Sequence, residues 1–233
     1  MALRIGAVEL GPRPCIIAAG GEAEVAALAA ADGADVVELR ADLFDDPSVA
    51  RVTAALERLR AAGRPIVLTV RAASEGGRAM PEERRRALYD AGLPLVDAID
   101  VETASIDLVR ALVPSAHRTG RLVLLSTHDL GATPGREALV ARVDRAFEAG
   151  ADVAKVATHA ASLDALRTLI DVTRTAMPRP VVTLAMGAMG PLSRFVLCAV
   201  GSLATYASVG APTAPGQLPL GELAALVRRF FRE

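Results

Sequence analysis

The sequence predicts an α/β fold, a single (β/α)8 TIM barrel covering residues 1–233, and three observations lead there. Eight short runs rich in Val, Ile and Leu recur along the chain, separated by segments whose apolar residues fall at helical spacing. Strands that read as continuous apolar runs are parallel strands covered by helices, and eight such units in about 220 residues suit a closed barrel better than an open sheet. A weak repeat, Gly33-Ala-Asp-Val36 and Gly150-Ala-Asp-Val153, is offset by half the chain, with each glycine where a left-handed helix cap is expected.

The elements follow in order. Residues 1–13, with Gly6 and Gly11-Pro12, precede the first strand and are expected to form a hairpin that closes the bottom of the barrel. Strands are predicted over 15–19, 35–40, 66–71, 98–102, 122–126, 152–156, 181–186 and 203–207. Val49, Val52, Leu56 and Leu59 mark one intervening helix, Leu163, Leu166, Leu169 and Ile170 another, and 220–231 is the last. No low-complexity linker interrupts the pattern.

Composition narrows the function. The chain is 52% hydrophobic and 23% charged, enough for a large core. A net charge of −1 and 3% aromatic residues offer neither a basic field nor stacking platforms, so no nucleic-acid partner is expected. Cys15 and Cys198 lie in apolar runs without ligand spacing and read as buried free thiols in a reducing compartment, with no metal site. The N-terminal residues show no charged region followed by a long apolar run, so no export signal is expected, and the apolar stretch 195–209 is too short and too mixed to span a membrane. A cytoplasmic location is expected.

The chemistry starts from Lys155. It is the only lysine among 26 Lys+Arg residues, and it sits in the apolar run Ala151-Asp152-Val153-Ala154-Lys155-Val156-Ala157. Arginine serves every other positive charge but cannot lose its proton near neutrality and attack a carbonyl; a lysine amine can. A Schiff-base nucleophile is the sharp reading, and a lysine paired to a carboxylate inside the fold is the plain one. At the C-terminal ends of the strands, where barrels place their active groups, stand Glu38, Arg40, Arg71, Asp100, Glu102, His128 and Met186. Glu38 and Arg40 are two apart and share a face, as a catalytic set or as a structural ion pair. His128, directly after an apolar run, suits general acid–base work; His117 reads as a solvent-exposed residue of a helix-to-strand connection and His159 as a loop bystander. Arg194 is the only charge between residues 180 and 221, which points to a fixed anion such as a carboxylate or phosphate. The uncharged, proline-rich loop 211–219 looks like a lid, with Thr213 and Gln217 as its polar groups.

Taken together these residues resemble the type I 3-dehydroquinate dehydratases. The similarity covers nearly the whole chain. It runs through Glu38-Leu-Arg40-Ala-Asp42, Arg71 with Glu75-Gly76-Gly77, Ile99-Asp-Val-Glu102, Ser126-Thr-His128-Asp129 with Thr133-Pro134, Lys155, Met186-Gly187-x-x-Gly190-x-x-Ser193-Arg194 and Ala214-Pro215-Gly216-Gln217. The resemblance implies dehydration of 3-dehydroquinate to 3-dehydroshikimate through a lysine Schiff base in the shikimate pathway, without cofactor or metal. It implies Lys155 as the imine-forming amine, His128 as the acid–base at C2 and at the departing hydroxyl, and Glu75 orienting His128 and favouring its charged form. Arg194 would clamp the substrate carboxylate; Glu38, Arg40, Arg71, Thr213 and Gln217 would hold other polar groups; Met186 would pack against the ring. Arg40 or Arg71 would keep the amine neutral by charge repulsion. A homodimer is implied too, with Phe230-Phe231 offering an apolar face. The chain departs from the family at Thr213, often serine, at Leu130, often aromatic, and at Ile17-Ala18-Ala19-Gly20, which lacks a serine that many relatives carry.

Two other readings stand beside this one. A Schiff-base aldolase would also use one strand-six lysine, but its sugar-phosphate substrates call for glycine-rich loops after strands seven and eight, and a proline-rich loop follows strand eight here. A non-catalytic ligand-binding relative would not need the amine.

Overall fold

The computed structural model describes residues 2–11 and 13–231. A hairpin of β1 (Arg4–Ile5) and β2 (Val8–Glu9) opens the chain. Pro12, within the expected hairpin segment 1–13, lies outside the described residues. The barrel strands are β3 (Cys15–Gly20), β4 (Val36–Arg40), β5 (Ile66–Thr69), β6 (Ala98–Glu102), β7 (Leu122–Asp129), β8 (Val153–His159), β9 (Val181–Met186) and β10 (Ala204–Ser208). They pair in parallel in sequence order from β3 to β9, with β10 against β3 and a short β11 (Leu218–Pro219) beyond β10. The helices between and after them are α1 (Val25–Ala29), α2 (Val49–Ala61), α3 (Glu82–Gly92), α4 (Ile106–Arg118), α5 (Arg136–Glu148), α6 (Leu163–Ala176), α7 (Gly190–Ala199) and α8 (Leu220–Phe230). This is the predicted TIM-barrel order.

The ring closes between β9 and β10 without a strand ladder. Leu203 N donates to Val181 O at 2.9 Å, and Ser202 Oγ accepts from Thr183 N at 3.0 Å, so a serine completes the seam. The half-chain repeat has a physical job at the floor. Gly33 and Gly150 adopt φ of +100° and +94° at the ends of helical segments. The aspartate two residues on then caps the neighbouring strand: Asp35 accepts from Ile16 N and Asp152 from Val123 N, each at 2.8 Å. Asp97 does the same for Ile66 N at 2.9 Å.

Alternation along the strands divides the core in two. Val37, Leu39, Leu68, Ile99, Val101, Leu125 and Val156 face the helices. Ile17, Val36, Val67, Ala98, Leu122, Leu124 and Val153 face inward and pack with Ile5 and Leu10 of the hairpin region, so the hairpin plugs the floor as expected. Among the described residues no helix is long and apolar enough to cross a membrane.

Several boundaries differ from expectation. The strand predicted over 66–71 stops at Thr69, so Arg71 follows β5 rather than ending it. β7 runs three residues past the predicted end, because Thr127, His128 and Asp129 keep pairing with Val156, Ala157 and Thr158. His128 therefore sits within the strand rather than after it. Pro114 and His117, expected in a connection, lie inside α4. β8 likewise continues to His159, which pairs with Met186 rather than standing in a loop.

Candidate functional site

The inward residues of the upper barrel are polar, and the strand period explains their convergence. Glu38 and Arg40, Asp100 and Glu102, Ser126 and His128 are pairs two apart, each aimed inside. One cavity at this end is lined by Glu38, Arg40, Arg71, Glu75, His128 and Lys155, by Met186, Arg194 and Tyr206, and by Thr213 and Gln217 of the loop above. All ten residues expected from the sequence thus meet at one place.

Lys155 is 4% exposed. Its Nζ lies 2.7 Å from Asp100 Oδ2, which Arg71 Nη2 also approaches at 3.1 Å, while Ser126 Oγ donates to Asp100 Oδ1 at 2.6 Å. The expected repulsion from Arg40 or Arg71 is therefore not what faces the amine: a carboxylate stands between Arg71 and Lys155, and Arg40 is turned to Asp42. Burial opposes ionisation of Asp100, but Arg71 and Lys155 beside it hold its carboxyl well below the ordinary range.

Arg71 is held from several sides. Its Nη1 donates to Glu102 Oε1 at 2.8 Å and to Ser126 Oγ at 2.7 Å. Arg85, reaching in from α3, pairs with the other Glu102 oxygen, donates to Ser105 Oγ at 3.1 Å and to Val70 O at 2.9 Å. Arg40 forms a two-pronged pair with Asp42 at 2.8 and 2.7 Å, and Asp42 also accepts from Arg71 N at 3.0 Å. Glu38 accepts from Thr69 Oγ1 at 2.6 Å rather than pairing with Arg40. Each of these buried charges has a partner, which is the condition for its being there.

His128 is held by one oxygen. Glu75 Oε2 accepts from the His128 backbone N at 2.8 Å and lies 2.9 Å from Nδ1. With Nδ1–H donating to that oxygen, the lone pair sits on Nε2. Glu75 is placed by a one-turn segment, Ala73–Glu75, that ends at Gly76 with φ of +90°. At Gly77, which follows, the first carbon of a side chain would come within 2.0 Å of Arg71 O, so none fits. The Glu-Gly-Gly run is thus the geometry that aims Glu75. Burial pushes the Glu75 carboxyl up to about 7, with the Glu102 carboxylate adding to it. Burial, reinforced by the cations Arg71 and Lys155, pushes His128 well below its usual range. The expectation that Glu75 favours a charged His128 meets an opposing field: burial and the cations Arg71, Lys155 and Arg40 outweigh the Asp100 carboxylate and favour the neutral imidazole in the free site.

Arg194 is the contrast. It is 2% exposed, and among the described residues no carboxylate pairs with it; its Nε is buried without a hydrogen-bond partner. Burial lowers it to about 10. A desolvated guanidinium facing a cavity without its anion is a receptor for one. Above it, Gln217 Oε1 accepts from Thr213 N at 2.8 Å and from Thr213 Oγ1 at 3.2 Å, which stiffens the loop. The loop seats on glycine: a side chain at Gly216 would come within 2.8 Å of Gly187 O and of Gly190 Cα. Met186, at the end of β9, lines the wall at 5% exposure.

The sequence reading assigned no part to Asp42, Ser126, Arg85 or Tyr206, and it noted Asp100 and Glu102 without a role. Two carboxylates at alternate positions of an apolar strand were the available signal for Asp100 and Glu102. Arg85 reads as solvated within Arg84-Arg85-Arg86, yet it falls one helical turn before the buried Leu88 and Tyr89. Among the described residues no group of three His, Cys, Asp or Glu side chains is arranged to hold a metal. Cys15 and Cys198 are buried free thiols.

Residues 18–231 match the family described as type I 3-dehydroquinase. A 3-dehydroquinate dehydratase from Methanococcoides burtonii is 34% identical over 226 residues, 95% of this chain and 96% of that one. The crystal structure of a type I 3-dehydroquinate dehydratase from Clostridium difficile, with covalently modified comenic acid, is 26% identical with a TM-score of 0.91, covering 100% of this chain and 98% of that one. A 3-dehydroquinate dehydratase structure from Geobacillus kaustophilus is 28% identical with a TM-score of 0.90, at 100% and 98% coverage.

Proposed function

The chain belongs to the type I 3-dehydroquinase family and has its activity, dehydration of 3-dehydroquinate in the shikimate pathway, and on that premise we propose which side chain performs each step. Lys155 Nζ adds to the C3 ketone of the substrate, and loss of the ketone oxygen as water leaves a protonated imine. The imine withdraws electrons from C2, so that its proton becomes acidic enough for the neutral Nε2 of His128. The resulting enamine expels the C1 hydroxyl, which takes the same proton back from His128 and departs as water. Hydrolysis of the product imine frees the lysine. Glu75 is the positioning residue that fixes the His128 tautomer through Nδ1.

The observation that carries this reading is the division of cations in one cavity. Arg40, Arg71 and Lys155 are matched to carboxylates, while Arg194 is not, and the substrate has one carboxylate to supply. Glu38, Arg40, Arg71, Thr213 and Gln217 then serve the ring hydroxyls, and Met186 packs against the ring. The proline-rich loop after β10, where a sugar-phosphate aldolase calls for a glycine-rich phosphate cradle, favours a carboxylate substrate at Arg194 over the aldolase reading, and a buried amine beside a histidine gives a merely ligand-binding relative no use for either. The whole of 1–233 acts as one catalytic domain, in the cytoplasm. Phe230, exposed at the end of α8 beside Phe195, supports an expected homodimer.

Incubation with 3-dehydroquinate and borohydride tests the assignment. The expected product carries the reduced adduct on Lys155 by peptide mass mapping. His128→Ala is expected to keep trapping adduct while dehydration falls about 100-fold or more. Adduct on no residue, or near-normal turnover in His128→Ala, would overturn it.

A further inference from the structure

Lys155 Nζ has a second neighbour besides Asp100. It lies over the face of the Tyr206 ring, 4.1 Å from the centroid. Tyr206 stands on β10, in register with Ile17 of β3, and is 4% exposed. Its hydroxyl is shut away from solvent and has no hydrogen-bond partner. A buried tyrosine ordinarily satisfies its hydroxyl, since an unpaired one costs free energy. Here the ring, not the hydroxyl, makes the contact at the reacting atom.

The carboxylate that faces the amine is also shared. Asp100 Oδ2 serves Arg71 at 3.1 Å as well as Lys155 at 2.7 Å. Asp100 is thus not given to the amine alone, and the aromatic face, in a water-free site, adds negative potential at the nitrogen. Burial holds the Tyr206 phenol well above its ordinary range, so the ring acts as a neutral π face and not as a phenolate.

We propose that Tyr206 is a catalytic partner of Lys155 whose ring face stabilises the positive charge on the imine nitrogen. The inference rests on the reading of Lys155 as the imine-forming amine. In that step a nitrogen–carbon bond forms to C3 and the ketone oxygen leaves as water with two of the three ammonium protons. At its end the third N–H and the positive charge are on nitrogen. To attack, the amine must shed its charge, and it regains that charge as the carbinolamine loses water, over the same ring and with its remaining N–H aimed at Asp100, so the ring acts on the charge that forms in that second step. A phenylalanine would serve equally, and an aliphatic side chain of similar bulk would not.

A series at position 206 separates the ring's electrostatics from its shape. Tyr206→Phe is expected to trap imine within about twofold of the parent rate. Mono-, di- and trifluorinated phenylalanines at the same position keep the ring's size and drain its negative face. Each fluorine is expected to slow borohydride-trapped imine formation, reaching roughly 10- to 30-fold at three, the scale of a desolvated cation–π contact. Non-covalent affinity for a ring carboxylate lacking the C3 ketone should not change across the series. A flat series overturns the proposal, as does a tenfold loss in Tyr206→Phe that fluorination does not deepen. If the parent itself traps no adduct, the reading of Lys155 fails; a parent that traps with a flat series sinks only Tyr206.

Discussion

Val36, Val67, Ala98 and Val153 fill the lower barrel; two residues further along the same strands stand Glu38, Thr69, Asp100 and Lys155, and both sets are under 5% exposed. The lower layer needs no partners. Its removal from water is favourable at about 25 cal/mol per Å2 of apolar surface. The upper layer is as dry but costs free energy to dry, and it stands because Asp100, Glu102, Asp42 and Glu38 together offset Lys155, Arg71, Arg85 and Arg40. Hydrophobic residues of the same volume would make a more stable barrel. The comparison teaches that burial alone does not mark a core: one layer holds the fold together, and the other is carried by it for chemistry.

The largest break comes at Lys155. Lys155→Ala should abolish turnover and adduct formation while the protein stays folded, because Asp100 keeps Arg71 and Ser126 as partners. Lys155→Arg should fail as well, since a guanidinium is no nucleophile. Steady-state assays with circular dichroism check both, and dehydratase activity in either variant would remove Lys155 from its role.

Arg194 sharpens the contrast, because it is the upper-layer charge without a partner. Arg194→Ala should weaken substrate binding by about 2–5 kcal/mol, yet raise the melting temperature of the free protein by removing an uncompensated buried charge. An analogue lacking the carboxylate should bind the variant and the parent alike. Equal losses for analogues with and without the carboxylate would make Arg194 structural.

Ile17→Ala tests the lower layer. The side chain is fully buried among Val36, Tyr206 and their neighbours, so denaturant unfolding should register a loss of about 3 kcal/mol. The rate constant kcat should stay within about twofold. A large fall in kcat at unchanged KM would show that the two layers are not separable.

Glu75 gives the smallest effect, read through pH. Its carboxyl sits at about 7 against an ordinary 4.5, so the folded protein keeps a proton that the unfolded chain releases. That contribution is full below pH 4.5 and is lost as pH rises through about 7. Glu75→Gln removes the loss, and the variant should gain on its parent by roughly 2–3 kcal/mol between about pH 4 and about pH 8. The acid limb of kcat/KM near 7 should vanish with it. Parallel stability curves would place the titration elsewhere.

The sequence by itself determined the barrel and most of the membership of its site. Strand alternation is local, so Glu38 and Arg40 had to share a face whatever surrounded them. The singular Lys155 and the isolated Arg194 are statements about composition, which needs no coordinates. His128 came from its place after an apolar run, although that run continued as strand through Asp129. What only the tertiary structure decided is which charge meets which. Asp100 and Lys155 are 55 residues apart, and Arg71 and Glu102 31 apart. Glu38 took Thr69 instead of Arg40, and Arg40 took Asp42. The neutrality of His128, the entry of Arg85 through the barrel wall and the placing of Tyr206 beneath the amine depend on the same assembly. The reason is range: side-chain direction follows from the period of one strand, whereas Coulomb energy and desolvation depend on every group that the closed barrel brings within a few ångströms.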